Sequence, residues 1–323
     1  MEKYSQYRDR ATGISPFLPV TTPLSAITAI THCVIFLFRL PFFFTLALSY
    51  FLIFQYLPLP VAARKIALWA MMAIPGIWWV DLQLDGVKRG TLADQPPQRF
   101  PHGGTVIAAN FTSPIDAVYL AAVFDPIFTI SYPGTRKVQR IGLLQAVVMA
   151  LSPVYTSAPD ESQLVHISDL LHEYPDRPIA IFPEGSTTNG KGILPFSLSL
   201  LDTPADTPIF PVSLRYTPGD VTTPVPGRWV SFLWNLLSRP TSLVRVRIAE
   251  ATTNTAAAKA NAPSISENGS SGLRNRAGGM TSEEQKVLDR IAEALARLGR
   301  VKRVGLTLQD KAAFVQAINS KKA

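Results

Sequence analysis

Cysteine occurs once in the 323 residues, at Cys33, so no internal disulfide and no CxxC zinc site can form. Histidine is almost as scarce. His32, His102, His166 and His172 are scattered without HExxH spacing, which argues against a zinc enzyme. Charged residues make up only 17% of the chain, few for a soluble protein. The glycine patterns of phosphate loops and Rossmann folds are missing, as is G-x-S-x-G, so nucleotide kinases, dehydrogenases and serine hydrolases lose support. Basic residues do not cluster with aromatic ones, which counts against nucleic acid as a partner.

What is present is apolar and basic. Hydrophobic residues reach 47%, and 31 Lys and Arg against 23 Asp and Glu leave a net charge of +8. Such an excess attracts anionic surfaces, acidic headgroups or phosphorylated substrates. After a polar segment, residues 1–23, the stretch "LSAITAITHCVIFLFRLPFFFTLALSYFLIFQYL" (24–57) is interrupted only at Arg39-Leu40-Pro41. Each flanking run is about 15 residues, roughly 22 Å as helix, short of a hydrocarbon core of about 30 Å. Proline breaks or bends a helix, and an arginine at mid-membrane costs on the order of 3 kcal/mol. The expectation is a membrane hairpin bent at Arg39–Pro41, with Arg39 reaching for the far headgroups. A single span over 41–57 is the alternative. Positive flanks (Lys3, Arg8, Arg10; Arg64, Lys65) put both hairpin ends on the cytoplasmic side. Trp69, Trp78 and Trp79 in the next segment suit an interfacial helix or an aromatic core, and the membrane region is taken to end near residue 80.

Residues 81–250 read as globular α/β. Short β-rich runs such as "GTVIAAN", "RPIAIFPEG", "TPIFPVSLRY" and "SLVRVRIAE" alternate with helical stretches such as "SPIDAVYLAAVF" and "GLLQAVVMAL". That alternation implies a mostly parallel central sheet flanked by helices, with functional loops at the carboxyl ends of strands. Two turns satisfy the condition, after Ala109 and after Phe182. Residues 251–280, rich in Ala, Asn, Ser and Gly, read as a disordered linker. Residues 281–323 hold two helices, the first opened by a Thr281/Glu284 capping box.

The second turn carries the chemistry. In "IAIFPEGSTTNGKGILPF" (179–196) a buried strand runs into a Pro-Glu-Gly turn and a hydroxyl-rich loop. Gly185 and Gly190 let backbone N–H groups approach a ligand, Ser186, Thr187, Thr188 and Asn189 add donors, and Lys191 adds charge, which together describe an anion cradle. The stretch resembles the Phe-Pro-Glu-Gly motif of the glycerolipid acyltransferase superfamily, and "IFPVSLRY" resembles the family's following Pro-Val strand. "NFTSPID" (110–116) lies about 70 residues before the glutamate, where that family has a His-x4-Asp box. The resemblance covers about residues 80–250 and is greatest to fungal lysophosphatidic acid acyltransferases of the endoplasmic reticulum and lipid droplets. It implies acyl transfer from acyl-CoA to a lysophospholipid hydroxyl, with no bound cofactor and no metal, by a domain on the cytoplasmic face. It also implies an orienting or catalytic role for Asp116 and acceptor binding by Glu184, Gly185, Ser186, Thr187 and Lys191. Asn110, Phe111, Thr112 and Ser113 would line the same site.

Two departures stand out. Phe111 occupies the histidine position, and Ala158 lies near the place of the family's phosphate-binding arginine. Arg136, Lys137 and Arg140 are the nearest basic substitutes. Ser113-Pro114-Ile115-Asp116 is also a good helix start on its own, and Glu184 could merely brace its turn. Two readings follow: a membrane acyltransferase working without the imidazole, or a catalytically inactive fold-mate acting as a lipid-binding or scaffold protein.

Overall fold

A computed structural model describes residues 2–23, 25–88, 90–261 and 280–320. Helix α1 (Ala26–Ser49) is followed by α2 (Val61–Ala73) and strand β1 (Trp79–Leu84). Then come β2 (Val106–Ala109), α3 (Pro114–Phe124), β3 (Ile127–Ser131), β4 (Val138–Ile141), α4 (Leu143–Met149) and α5 (Ile167–Glu173). The chain continues through β5 (Ile179–Ile181), β6 (Gly192–Ile193), β7 (Ile209–Thr217), α6 (Trp229–Leu237) and β8 (Leu243–Ile248). It ends with α7 (Thr255–Asn261), α8 (Ser282–Gly299), β9 (Lys302–Arg303) and α9 (Leu308–Asn319).

Seven strands form one sheet in the order β1-β8-β7-β2-β5-β3-β4, and β6 pairs separately with β9. The pairs β1–β8, β7–β2, β2–β5 and β5–β3 are parallel, while β7–β8 and β3–β4 are antiparallel. The α/β architecture with a mostly parallel sheet is therefore as the strand–helix alternation predicts. Alternate residues of β2 serve opposite faces, as the pleat requires. Ile107 and Ala109 pack towards α2, α3, α4 and α6. Val106 and Ala108 pack towards α5 and α8. The carboxyl ends of β2 and β5 lie side by side at the middle of the sheet, and both candidate turns leave from there.

The expected hairpin is not what forms. Helix α1 runs through Pro41 without interruption and continues as a wider π turn over Tyr50–Phe54. An interior proline costs about 3 kcal/mol, and packing on both sides of it opposes that cost. Phe36 meets Trp234 of α6 at a ring separation of 5.0 Å, and Phe43, Leu46, Ala47 and Phe51 pack against the core. Arg39 does not reach for headgroups. Its guanidinium donates to the carbonyls of Pro75 (3.2 Å), Leu237 (3.5 Å), Arg239 and Pro240 (2.9 Å), closing the carboxyl end of α6 against the turn before β1. Gly76, at φ +85°, leaves the room for that approach, since a Cβ there would strike Pro240.

Residues 26–54 still form a helix long and apolar enough to cross a membrane. Its outer side exposes Ile27, Ile30, Val34, Phe38, Phe42 and Leu52, and Trp78 and Trp79 are each 70% exposed. Of the 251–280 stretch expected as a linker, residues 262–279 lie outside the described residues, and residues 251–261 are ordered. Thr252 bridges Ile209, Asn254 donates to Leu201 O (3.0 Å) and Thr203 O (2.8 Å), and α7 follows. Alanine-rich composition serves a helix as readily as a linker.

The Arg39 contacts predict that Arg39→Ala will lower stability by about 2 kcal/mol, typical of charged hydrogen bonds lost from a partly buried site. It should also loosen α1 from α6. Melting in detergent, with proteolysis to follow release of α1, checks this; an unchanged melting point refutes it.

Candidate active site

The turn after β2 is built around one carboxylate. Asp116 is fully buried and its two oxygens accept four hydrogen bonds. Oδ2 accepts from Thr112 N (2.6 Å), Thr112 Oγ1 (3.1 Å) and Ser113 N (2.9 Å), and Oδ1 from Tyr216 Oη (2.5 Å). Ser113 caps α3, so Asp116 closes a capping box, with Pro114 as the first helical residue. Asn110 binds Leu214 of β7 through both ends of its amide (2.9 and 2.7 Å). The Phe111 ring is buried and stacks on Phe182 at 4.3 Å, with Phe128 behind. An apolar stack thus stands where the resemblance puts an imidazole.

The second turn lies against the first. Glu184 Oε1 accepts from Phe111 N (3.4 Å) and Oε2 from Leu194 N (3.0 Å). Gly185 takes φ +66°, the left-handed region that a Cβ disfavours. Glu184 and Gly185 line a cavity of about 340 Å³ together with Ser131, Thr156, Ser197 and Gln309. Beside the amino end of α3 lies a second cavity of about 340 Å³. It is apolar, bounded by Pro114, Ile115, Phe43, Phe51, Met72 and Phe232.

The hydroxyl-rich loop is not the open cradle its composition suggests. Thr187 Oγ1 donates to Thr223 O (2.6 Å), and Asn189 Nδ2 to Ser15 O and Leu18 O (2.8 Å each). Thr188 N donates to Phe111 O (3.0 Å). Ser186 accepts from Lys311 Nζ (2.7 Å). These groups are committed to the protein, and Lys191 is exposed and lines no part of the cavity. Arg136 and Arg140 are engaged at the surface with Glu284 (2.8 Å) and Glu173 (3.3 Å). Ala158 is exposed. His166 pairs with Asp202 at 2.9 Å, and His102 sits before β2, at the opposite end of the strand from the turn.

Burial pushes the Asp116 carboxyl up to about 6, against its four hydrogen bonds. The same cause pushes Glu184 up to about 8, opposed by the two N–H groups and by Lys311. Lys311 is pushed by burial down to about 7. Glu184 lines the polar cavity, whereas Asp116 is enclosed by its donors. A carboxyl that titrates near working pH is suited to general acid–base exchange.

Tyr216 and Lys311 were not identifiable as site residues from sequence. Tyr216 is one of a series of alternating core positions on β7. Lys311 gives a fainter sign: it shares the register of Phe314 and Ile318, three and seven residues on, and so belongs to the apolar face of α9.

An acyltransferase family profile matches residues 93–215, which contain both turns. A Schizosaccharomyces pombe protein whose name assigns it, provisionally, lysophosphatidic acid:oleoyl-CoA acyltransferase activity is 24% identical over 99% of each chain. Lysophosphatidic acid:oleoyl-CoA acyltransferase 1 of Saccharomyces cerevisiae is 26% identical over 62% of each chain. The chain carries an acyltransferase domain and is similar to lysophosphatidic acid acyltransferases. Among solved structures, the 1-acyl-sn-glycerophosphate acyltransferase of Thermotoga maritima aligns over 83% of this acyltransferase and 95% of its own chain, at 14% identity and a TM-score of 0.39.

Removing the Tyr216 hydroxyl leaves a buried carboxylate oxygen without its donor, which costs about 1–3 kcal/mol. Tyr216→Phe should lower the denaturation midpoint accordingly, measured in urea with detergent. No loss would mean that Asp116 holds the turn through its backbone contacts alone.

Proposed function

We propose that this acyltransferase moves a fatty acyl group from acyl-CoA to the free hydroxyl of a lysophospholipid such as lysophosphatidic acid, with Glu184 as proton acceptor. The observation that carries the reading is the placement of Glu184: a buried carboxyl facing a cavity of about 340 Å³ at the carboxyl end of a central strand. The acceptor hydroxyl sits in that cavity and gives its proton to the Glu184 carboxylate as its oxygen attacks the thioester carbon. The C–S bond breaks, and the proton passes on to the departing CoA sulfur. A thioester is an activated donor, so holding two reactants together carries much of the rate. Asp116, enclosed by its four donors, keeps the β2 turn in shape rather than exchanging protons.

The apolar cavity beside Pro114 and Ile115 takes the acyl chain, its walls drawn from α1, α2, α3, α4 and α6. Arg136, two residues beyond the cavity-lining Gly134 and half-exposed, exchanges its partner Glu284 for the acceptor phosphate. Helix α1 and the exposed tryptophans hold the enzyme at the endoplasmic reticulum membrane and lipid droplets, domain on the cytoplasmic side, serving phospholipid and triacylglycerol synthesis. Both substrates then reach the cavities from the lipid surface.

With oleoyl-CoA and lysophosphatidic acid, kcat/KM should rise with pH through an apparent pKa near 8, where the carboxylate forms. Glu184→Gln should lower it by about 100-fold or more, the usual scale for a positioned base, and abolish that rise. A rise near 6 surviving in Glu184→Gln would move the role to Asp116 or to the acceptor's own phosphate. Wild-type protein that binds lysolipid without turnover would support the lipid-binding reading that Phe111 favours.

A further inference from the structure

Helix α9 lies about 90 residues beyond the end of the acyltransferase match, yet it is part of the site. Its first turn supplies Thr307, Leu308 and Gln309 to the wall of the Glu184 cavity. Thr307 fixes that turn with a capping box to Asp310. Phe314 anchors the helix in an aromatic cluster with Tyr4, Tyr7 and Phe17.

Between cap and anchor sits Lys311, the one lysine or arginine that is buried among the described residues. Its Nζ donates to Ser186 Oγ (2.7 Å), Thr187 O (2.5 Å) and Thr187 Oγ1 (3.3 Å), so its donors converge on the residues directly after Glu184 and Gly185. None of these partners is a carboxylate. Taking an amine's charge out of water is costly, and neutral acceptors return only part of it, which is why burial lowers the Lys311 pKa. An apolar residue in register with Phe314 would fill the position at lower cost. A lysine kept there with its donors on Ser186 and Thr187 points to work done on the turn.

We propose that Lys311 is a positioning residue for acyl transfer, fixing the Pro-Glu-Gly turn from behind and giving the Glu184 carboxylate its counter-charge. The proposal rests on Glu184 as the proton acceptor. The charged and titratable groups facing Glu184 are Asp116 on α3, which disfavours the carboxylate, and Lys311 on α9, which favours it. Glu184 is in turn the group whose charge favours the ammonium. Burial disfavours the charged form of each group and the charge of each favours that of the other, so the carboxylate that accepts the proton of the acceptor hydroxyl is the form that the ammonium supports.

The test compares Lys311→Met, Lys311→Gln and Lys311→Arg with wild type in the full-length enzyme, following kcat and kcat/KM from pH 6 to 10 with oleoyl-CoA and lysophosphatidic acid. Both neutral variants should lose about ten- to a hundredfold in kcat at pH 7.5, the scale of a displaced catalytic group. In both, the rise of kcat/KM should move to higher pH, because the carboxylate has lost its cation. Lys311→Arg should keep the wild-type position of the rise even where its bulk lowers the rate. Neutral variants that fold and are slower without moving the rise overturn the proposal, as does failure of both to fold, which would make the lysine structural. The Glu184 reading fails separately, if Glu184→Gln retains the wild-type profile.

Discussion

The backbone of Phe111 joins the two turns of the active site. Its N–H donates to Glu184 and its carbonyl accepts from Thr188, so one residue holds the front and back of the Pro-Glu-Gly loop to the β2 turn. Its ring, stacked on Phe182, seals the space beneath. An apolar ring stands where the family resemblance puts an imidazole, and the two turns pack around it. Phe111 has no proton to move, and on the proposed reading the proton goes to Glu184, which lines a cavity on the facing turn.

Much of the fold was legible because hydrophobic period and turn chemistry agreed. "VIAA" and "IAI" are short, β-branched and alanine-containing runs ended by polar turns, and they became neighbouring central strands. The Ser113–Asp116 helix start and the Thr281 capping box formed as their residue types require. What misled was local reasoning about Arg39 and Pro41. Their cost in lipid is real in isolation, but the sequence did not disclose that carbonyls some 200 residues away would receive the guanidinium. The hydroxyl-rich loop misled in the same way. Its donors looked free because their partners, Ser15, Leu18 and Thr223, are distant in the chain.

The site's electrostatics follow from burying two acids and one base close together. Each charged form is disfavoured by its loss of water, and each is partly restored by fixed dipoles or by a neighbour of opposite sign. Asp116 has most of its compensation from hydrogen bonds, so it is held rigid. Glu184 has less, and its balance depends on an amine from a different part of the chain. On the proposed reading, rigidity and proton exchange are thereby divided between the two carboxyls.

Asn189 grips residues 15–18 while Lys311 grips Ser186 and Thr187, so both ends of the chain close on a loop in its middle. The loop therefore takes its final shape only when one segment 174 residues before it and another 125 residues after it are both docked, so its order reports on the assembly of the whole fold.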